Sequence, residues 1–128
     1  MLHIMAICLG GGIGAVSRYL LFLAVQRPDG PNFPVGTLVI NLLGCLAIGF
    51  LWTIFEGTRL APTWRLFLFT GVLGGFTTFS TFGLETLQLW EVGKWKSALL
   101  YVGLSNGVGL PLVALGALLA RRAHWFAG

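Results

Sequence analysis

Residues 66–90 read LFLFTGVLGGFTTFSTFGLETLQLW, an apolar run of 25 residues in which Glu85 is the one charged side chain. A helix needs about 20 residues to cross a hydrocarbon core of ~30 Å, so this run predicts a membrane span. Its middle, residues 74–83, holds three glycines, four hydroxyl residues and three phenylalanines. Glycine and threonine are poor helix formers, so we expect a span that is broken midway.

A break has a cost that limits where it can occur. It frees backbone N–H and C=O groups, which lipid cannot satisfy, so broken helices are tolerated only where protein, ions or water meet those groups. The alternative is a continuous helix whose Ser and Thr hydroxyls bond to the carbonyls one turn earlier. The sequence leaves both open and favours the break.

Three further apolar runs flank this one, at residues 4–25, 35–55 and 97–120. Only 9% of the residues are charged and the mean hydropathy is +0.87. A water-soluble domain is about 25% charged, so that class is excluded. We therefore predict an all-α integral membrane protein with four transmembrane helices in a single domain, residues 1–128.

The loop charges barely specify an orientation in the membrane. The side that holds both termini and the second loop carries four cations: Arg59, Arg65, Arg121 and Arg122. The opposite side carries three: Arg27, Lys94 and Lys96. Cytoplasmic loops are normally enriched in Lys and Arg, so four against three is close to balance. This indicates either a weakly specified fixed topology or a chain that inserts both ways and pairs antiparallel.

A few polar and aromatic side chains inside the spans have two interpretations each. Asn41, with Thr37 one turn earlier, either forms a hydrogen bond between helices or lines a pore and donates to an anion. Phe79 and Phe82 fall on the same side of a helix, either as core or as ring edges that weakly solvate an anion. Ser105 and Asn106 are equally ambiguous. Arg18 and Glu85 could reach the interface or face a water-filled vestibule.

No pattern typical of an enzyme is found in the sequence. There is no histidine cluster, no nucleophile and base arrangement and no metal-ligand spacing, and His3 and His124 lie at opposite ends of the chain. We therefore expect that the protein is not an enzyme, and we expect no nucleic-acid partner.

Three motifs together resemble the Fluc fluoride channel family, also called CrcB-like proteins. The motifs are GGGIGAVSRY at residues 10–19, GTLVINLLG at residues 36–44 and TGVLGGFTTFSTF at residues 70–82. The last is long and unusual, and the resemblance extends over essentially the whole chain.

The resemblance implies an antiparallel, dual-topology homodimer with two fluoride pores, in which Phe79 and Phe82 are the pore phenylalanines and Asn41 is the pore asparagine. Ser80, Thr37 and Tyr101 match positions along the path. A structural sodium ion is implied at the dimer centre, held by the backbone carbonyls of Gly74 and Thr77 from both subunits. Arg18 and Glu85 match charged positions near the pore mouths.

One departure from the family pattern concerns the fourth span. Family members often have Ser and Thr where this chain has Gly109 and Val113. Whether polar side chains of the fourth span line the path is therefore an open question. The expected function is passive, selective fluoride export across the inner membrane, which relieves fluoride toxicity; membrane lipid, fluoride, sodium and a second copy of the chain are the expected partners.

Two other functions compete with the fluoride channel. A small dual-topology proton-coupled multidrug exporter would need a carboxylate deep in a span. The first span has no Asp or Glu, and Glu85 lies near the end of its run. A membrane assembly protein without transport would account for the glycines of the spans, but it leaves the Gly/Thr/Phe run of residues 74–83 unexplained.

Overall fold

A computed structural model describes residues 1–26 and 33–127, with side chains described as far as residue 123. Arg27, one of the counted loop charges, and the side chain of His124 lie outside the described residues. The elements are α1 (Leu2–Val25), α2 (Val35–Glu56), α3 (Pro62–Arg65), a π-helical segment (Leu66–Leu73), α4 (Gly74–Phe76), α5 (Phe79–Glu91) and α6 (Trp95–Ala127).

Among the described residues, four stretches are long and apolar enough to cross a membrane: Leu2–Val25, Val35–Glu56, Pro62–Glu91 and Trp95–Ala123. The described residues contain helices and no strand. The predicted all-α protein with four membrane-spanning helices is thereby confirmed at this level. The third stretch begins at Pro62 and not at Leu66, because proline fits the first turn of a helix, where its missing N–H is not needed.

The third stretch changes conformation twice along its length. Residues Leu66–Leu73 form wide π turns, and α4 ends at Phe76. Thr77 and Thr78 then have extended backbone, with φ/ψ of −86°/158° and −152°/115°, before α5 begins at Phe79. The π-helical segment and α4 pack on α1, whereas α5 packs on α6. The two halves therefore belong to different sides of the bundle.

Glycines allow α1 to approach the first half of the third stretch closely. A side chain at Gly10 would overlap the Phe67 carbonyl, and one at Gly14 would overlap the Val72 carbonyl. Small residues at such spacing allow close helix contact within a membrane. The pair Gly103 and Gly107 has the same spacing, but both face open space in this chain. Spacing alone therefore does not identify a packing face.

The interior of the chain is small. Its buried cluster consists of Leu38, Phe82, Leu89, Ala98 and Tyr101. Each candidate span buries only 11–22% of its most apolar 18 residues within the chain. Large apolar side chains on α1 such as Leu9 and Leu20 are more than half exposed. In a membrane protein such faces are covered by lipid tails or by other subunits.

Candidate functional site

Asn41 holds the non-helical residues between α4 and α5. Its Nδ2 donates to the Thr78 carbonyl at 3.0 Å, and its Oδ1 accepts from the Thr78 N–H at 2.9 Å. The Asn41 Oδ1 thus replaces the backbone acceptor that the Thr78 N–H loses by leaving the helix. This geometry matches the interpretation in which Asn41 forms hydrogen bonds between helices. The second Nδ2 hydrogen of Asn41 has no assigned partner among the described residues.

Thr78 also starts the next helix. Its Oγ1 accepts from the Thr81 N–H at 3.3 Å and its hydroxyl donates to Thr81 Oγ1 at 2.9 Å. Threonine is a favoured residue immediately before a helix because its side-chain oxygen satisfies an otherwise unpaired N–H. The same threonine-rich run that weakens the helix therefore also restarts it.

These hydrogen bonds change the partners of two carbonyls. In a continuous helix the Gly74 carbonyl would accept from the N–H of Thr78, and the Thr77 carbonyl from the N–H of Thr81. Here the first N–H donates to Asn41 and the second to the Thr78 hydroxyl. Both carbonyls lose their usual donors, and carbonyl oxygens are ligands suited to a hard cation.

A groove of about 370 Å³ opens beside this interruption. Its lining residues come from α2, the third stretch and α6: Asn41, Gly44, Cys45, Ile48, Phe69, Leu73, Gly74, Thr77, Thr78, Phe79, Phe82, Ser105 and Asn106. The predicted residues Asn41, Phe79 and Phe82 are therefore brought together. No sequence signal marks Cys45, Ile48 or Phe69 as lining residues.

Phe79 and Phe82 have different environments within the groove. Their ring centroids are 5.5 Å apart, with the ring planes tilted by 48°. Phe82 is 9% exposed and meets Tyr101 edge to face at 5.0 Å, whereas Phe79 is 80% exposed. A bulky ring exposed to this extent shows that the groove is open on the side of Phe79.

The α6 wall of the groove carries two polar side chains. The Ser105 Oγ is buried and has no hydrogen-bond partner among the described residues. Asn106 is exposed, and its Nδ2 donates to the Val102 carbonyl at 2.9 Å. Both are polar residues in an otherwise apolar helix sequence, which is the signal by which sequence alone singles them out.

Glu85 lies in a hydrogen-bonded network behind Phe82. The Thr37 hydroxyl donates to one carboxylate oxygen at 2.8 Å, and the Tyr101 hydroxyl donates to the other at 2.7 Å. Thr37 is 1% exposed and Tyr101 is fully buried. The structure thus joins three of the predicted site residues, but it places them next to the groove and not on its lining.

Two predicted site residues lie apart from this arrangement. Ser80 is exposed in the first turn of α5, and Arg18 is partly exposed on α1. Neither side chain lines the groove. Gly109, the departure on the fourth span, is buried against α2, where a side chain would come within 3.3 Å of the Cys45 Sγ.

A family model and individual relatives both match nearly the whole chain. The model of the family described as "CrcB-like protein, Camphor Resistance (CrcB)" matches residues 5–117. The chain is 47% identical over 116 residues to a protein of Desulfotalea psychrophila, covering 91% of this chain and 90% of that protein. It is 48% identical over 130 residues to one of Chloroflexus aurantiacus, covering all of both chains. Both proteins bear the name "Fluoride-specific ion channel FluC".

Proposed function

This chain belongs to the CrcB-like protein family, and on that premise we propose that it is a fluoride-selective ion channel. It is a multi-pass membrane protein with four helices able to span the bilayer. The observation that carries the proposal is the groove, which brings Asn41, Phe79 and Phe82 together next to the interruption between Phe76 and Phe79. Passive export of fluoride across the inner membrane, which relieves fluoride toxicity, is the corresponding physiological role.

The groove offers fluoride two kinds of weak contact. The remaining Nδ2 hydrogen of Asn41 and the hydroxyl of Ser105 replace part of the hydration shell. The edges of Phe79 and Phe82 carry partial positive charge and stabilise an anion without trapping it. Conduction needs binding that is favourable enough to admit the ion and weak enough to release it.

The open side of the groove supports the proposal of an antiparallel homodimer. A ring that is 80% exposed, as Phe79 is, needs a cover if it is to confine an ion. A second copy in the opposite orientation supplies that cover, and the near balance of loop charges permits both orientations to insert. The interruption then lies at mid-membrane, where each subunit contributes to a pore.

A structural sodium ion is proposed at the centre of that dimer. The Gly74 and Thr77 carbonyls would hold it, and they fit the task because their usual helical donors are bonded elsewhere. Sodium would neutralise the partial negative charge of carbonyls that lipid cannot satisfy.

The remaining predicted residues have proposed roles along the path and near its mouths. Glu85, Thr37 and Tyr101 form a polar segment reached past Phe82, with which the Tyr101 ring is in contact. Ser80, in the first turn of α5, is a proposed residue of the path, and Arg18 and Glu85 are proposed charges near the pore mouths, although none of the three lines the groove.

Fluoride efflux from reconstituted liposomes tests the function. Vesicles loaded with potassium fluoride should release fluoride to an electrode once a potassium ionophore balances the charge, and chloride-loaded vesicles should not release chloride. Dimeric, folded protein that releases no fluoride would refute the channel. Proton-driven uptake of a cationic drug by the same vesicles would support an exporter instead.

A further inference from the structure

The groove contains a second amide side chain, that of Asn106 on α6. We infer that Asn106 donates a hydrogen bond to the permeating anion. The inference rests on the proposed function and concerns a residue outside the three family-like motifs, which end at Phe82.

The hydrogen bonds of the groove lining show why a further donor is needed. The Thr77 hydroxyl donates to the Leu73 carbonyl at 3.0 Å, and the Thr78 hydroxyl donates to Thr81 Oγ1. The Thr78 N–H donates to the Asn41 Oδ1, and one Nδ2 hydrogen of Asn41 donates to the Thr78 carbonyl. Four polar groups that line the groove are therefore already committed to the protein.

Three side-chain donors of the N–H or O–H type have an unassigned hydrogen among the described lining residues. They are the second Nδ2 hydrogen of Asn41, the Ser105 hydroxyl and the second Nδ2 hydrogen of Asn106. The bond from Asn106 to the Val102 carbonyl fixes the amide on α6 and leaves this hydrogen available. Since fluoride holds water strongly, each donor that replaces water lowers the barrier to entry.

Gly109 explains why the donor lies at position 106. One turn beyond Ser105, the helix has no side chain, and the space next to Gly109 is bounded by the Cys45 Sγ and the Leu42 side chain. A thiol is only a weak donor. Ser105 is therefore the one hydroxyl residue that α6 contributes to the described lining, and the neighbouring Asn106 supplies a second strong donor on the same wall.

Liposome flux of Asn106 variants tests this inference. Asn106→Leu removes the donor at similar volume, and fluoride efflux should fall between about tenfold and a hundredfold, the effect of losing a hydrogen bond to a charged group. Asn106→Gln keeps the amide and should retain most of the flux. The matched control is Leu110→Ala, which alters a 70% exposed side chain one turn along α6 that does not line the groove, and it should conduct normally.

The pH profile of Asn106→Asp separates ion contact from a structural role. A protonated carboxyl can donate to the anion and an ionised one repels it, so this variant should conduct better in acid than in alkali relative to wild type. Cys45 is the titratable side chain among the described lining residues of the wild type. Because wild type and variant both contain Cys45, comparing their pH profiles removes its contribution. If Asn106→Leu fails to form dimers, the pH profile of Asn106→Asp alone decides whether Asn106 contacts the anion.

The outcomes distinguish this inference from the proposed function. Wild-type protein without fluoride flux would overturn both. Wild-type protein that conducts, together with Asn106→Leu at full flux and Asn106→Asp with an unchanged pH profile, would overturn the role of Asn106 alone. Slow flux in Leu110→Ala equal to that of Asn106→Leu would also overturn it, because the effect would then belong to the whole α6 surface.

Discussion

The two phenylalanines of the groove should respond differently to the same substitution. Phe79→Ile and Phe82→Ile should both reduce fluoride efflux sharply, since each removes an aromatic edge from the path. Phe82→Ile should lower thermal stability more than Phe79→Ile does, by about 1 kcal/mol, because Phe82 also packs edge to face with Tyr101. Efflux and thermal unfolding of the purified dimer check both effects. Normal flux with normal selectivity in both variants would contradict the assigned path.

Asn41 is expected to matter for folding as well as for conduction. Asn41→Ala removes both bonds to Thr78 and leaves a backbone N–H unpaired, which should cost about 2–4 kcal/mol of folding free energy. Asn41→Asp keeps an acceptor for that N–H and should be the more stable of the two. Thermal unfolding in detergent compares them. Equal stability of Asn41→Ala and wild type would show that the amide does not hold the interruption.

The network around Glu85 allows a separate test at single residues. Tyr101→Phe and Thr37→Val each remove one donor to the carboxylate, and each should destabilise the protein by about 1.5–3 kcal/mol, the value of a hydrogen bond to a charged group. Combined with Glu85→Gln, the losses should not add, because all three side chains share one network. Strict additivity in denaturation measurements would mean that the three residues are not coupled.

At the scale of elements, the contact of α1 with the third stretch depends on particular glycines. Gly14→Leu places a side chain against the backbone of Val72 and Phe76, so we expect loss of the folded dimer. The control is Gly12→Ala, two residues away, which faces open space and should be neutral or stabilising by up to about 1 kcal/mol. Size-exclusion chromatography and thermal unfolding distinguish them. Full stability of Gly14→Leu would disprove the close packing.

The helices were predictable from sequence because length and apolar composition alone determine a membrane span. Their ends differ by several residues where local chemistry decides: Pro62 starts a turn early, and Arg121 and Arg122 continue α6 past its apolar part. The weak helix formers of residues 74–83 marked the region in which Thr77 and Thr78 leave the helix.

The contacts within the site were less predictable, because they join distant positions. Asn41 was identified as a polar residue that needs a partner, yet its partner Thr78 is 37 residues away and is reached through its backbone. Glu85 was expected near a span end, but Thr37, 48 residues earlier, and Tyr101 hold its carboxylate. Sequence patterns give the faces of helices, and only packing determines which faces meet.

At the scale of the whole molecule, the proposed antiparallel dimer can be tested through loop charge. Glu56→Lys with Thr58→Lys would raise the count to six cations against three and bias insertion to one orientation. Arg121→Gln, Arg122→Gln and Glu91→Lys together would give two against four and the opposite bias. Either variant alone would then lack antiparallel partners and should carry little fluoride.

Coexpression of the two biased variants should restore function, because chains of opposite orientation would then pair. Fluoride efflux and the yield of dimers on size-exclusion chromatography measure the recovery, and a tag at the C-terminus, probed from one side of sealed vesicles, reports each orientation. If each variant alone conducts at the wild-type level while its tag faces a single side, the functional unit is not antiparallel. The exposed face of Phe79 would then have to be covered by a parallel partner or by lipid.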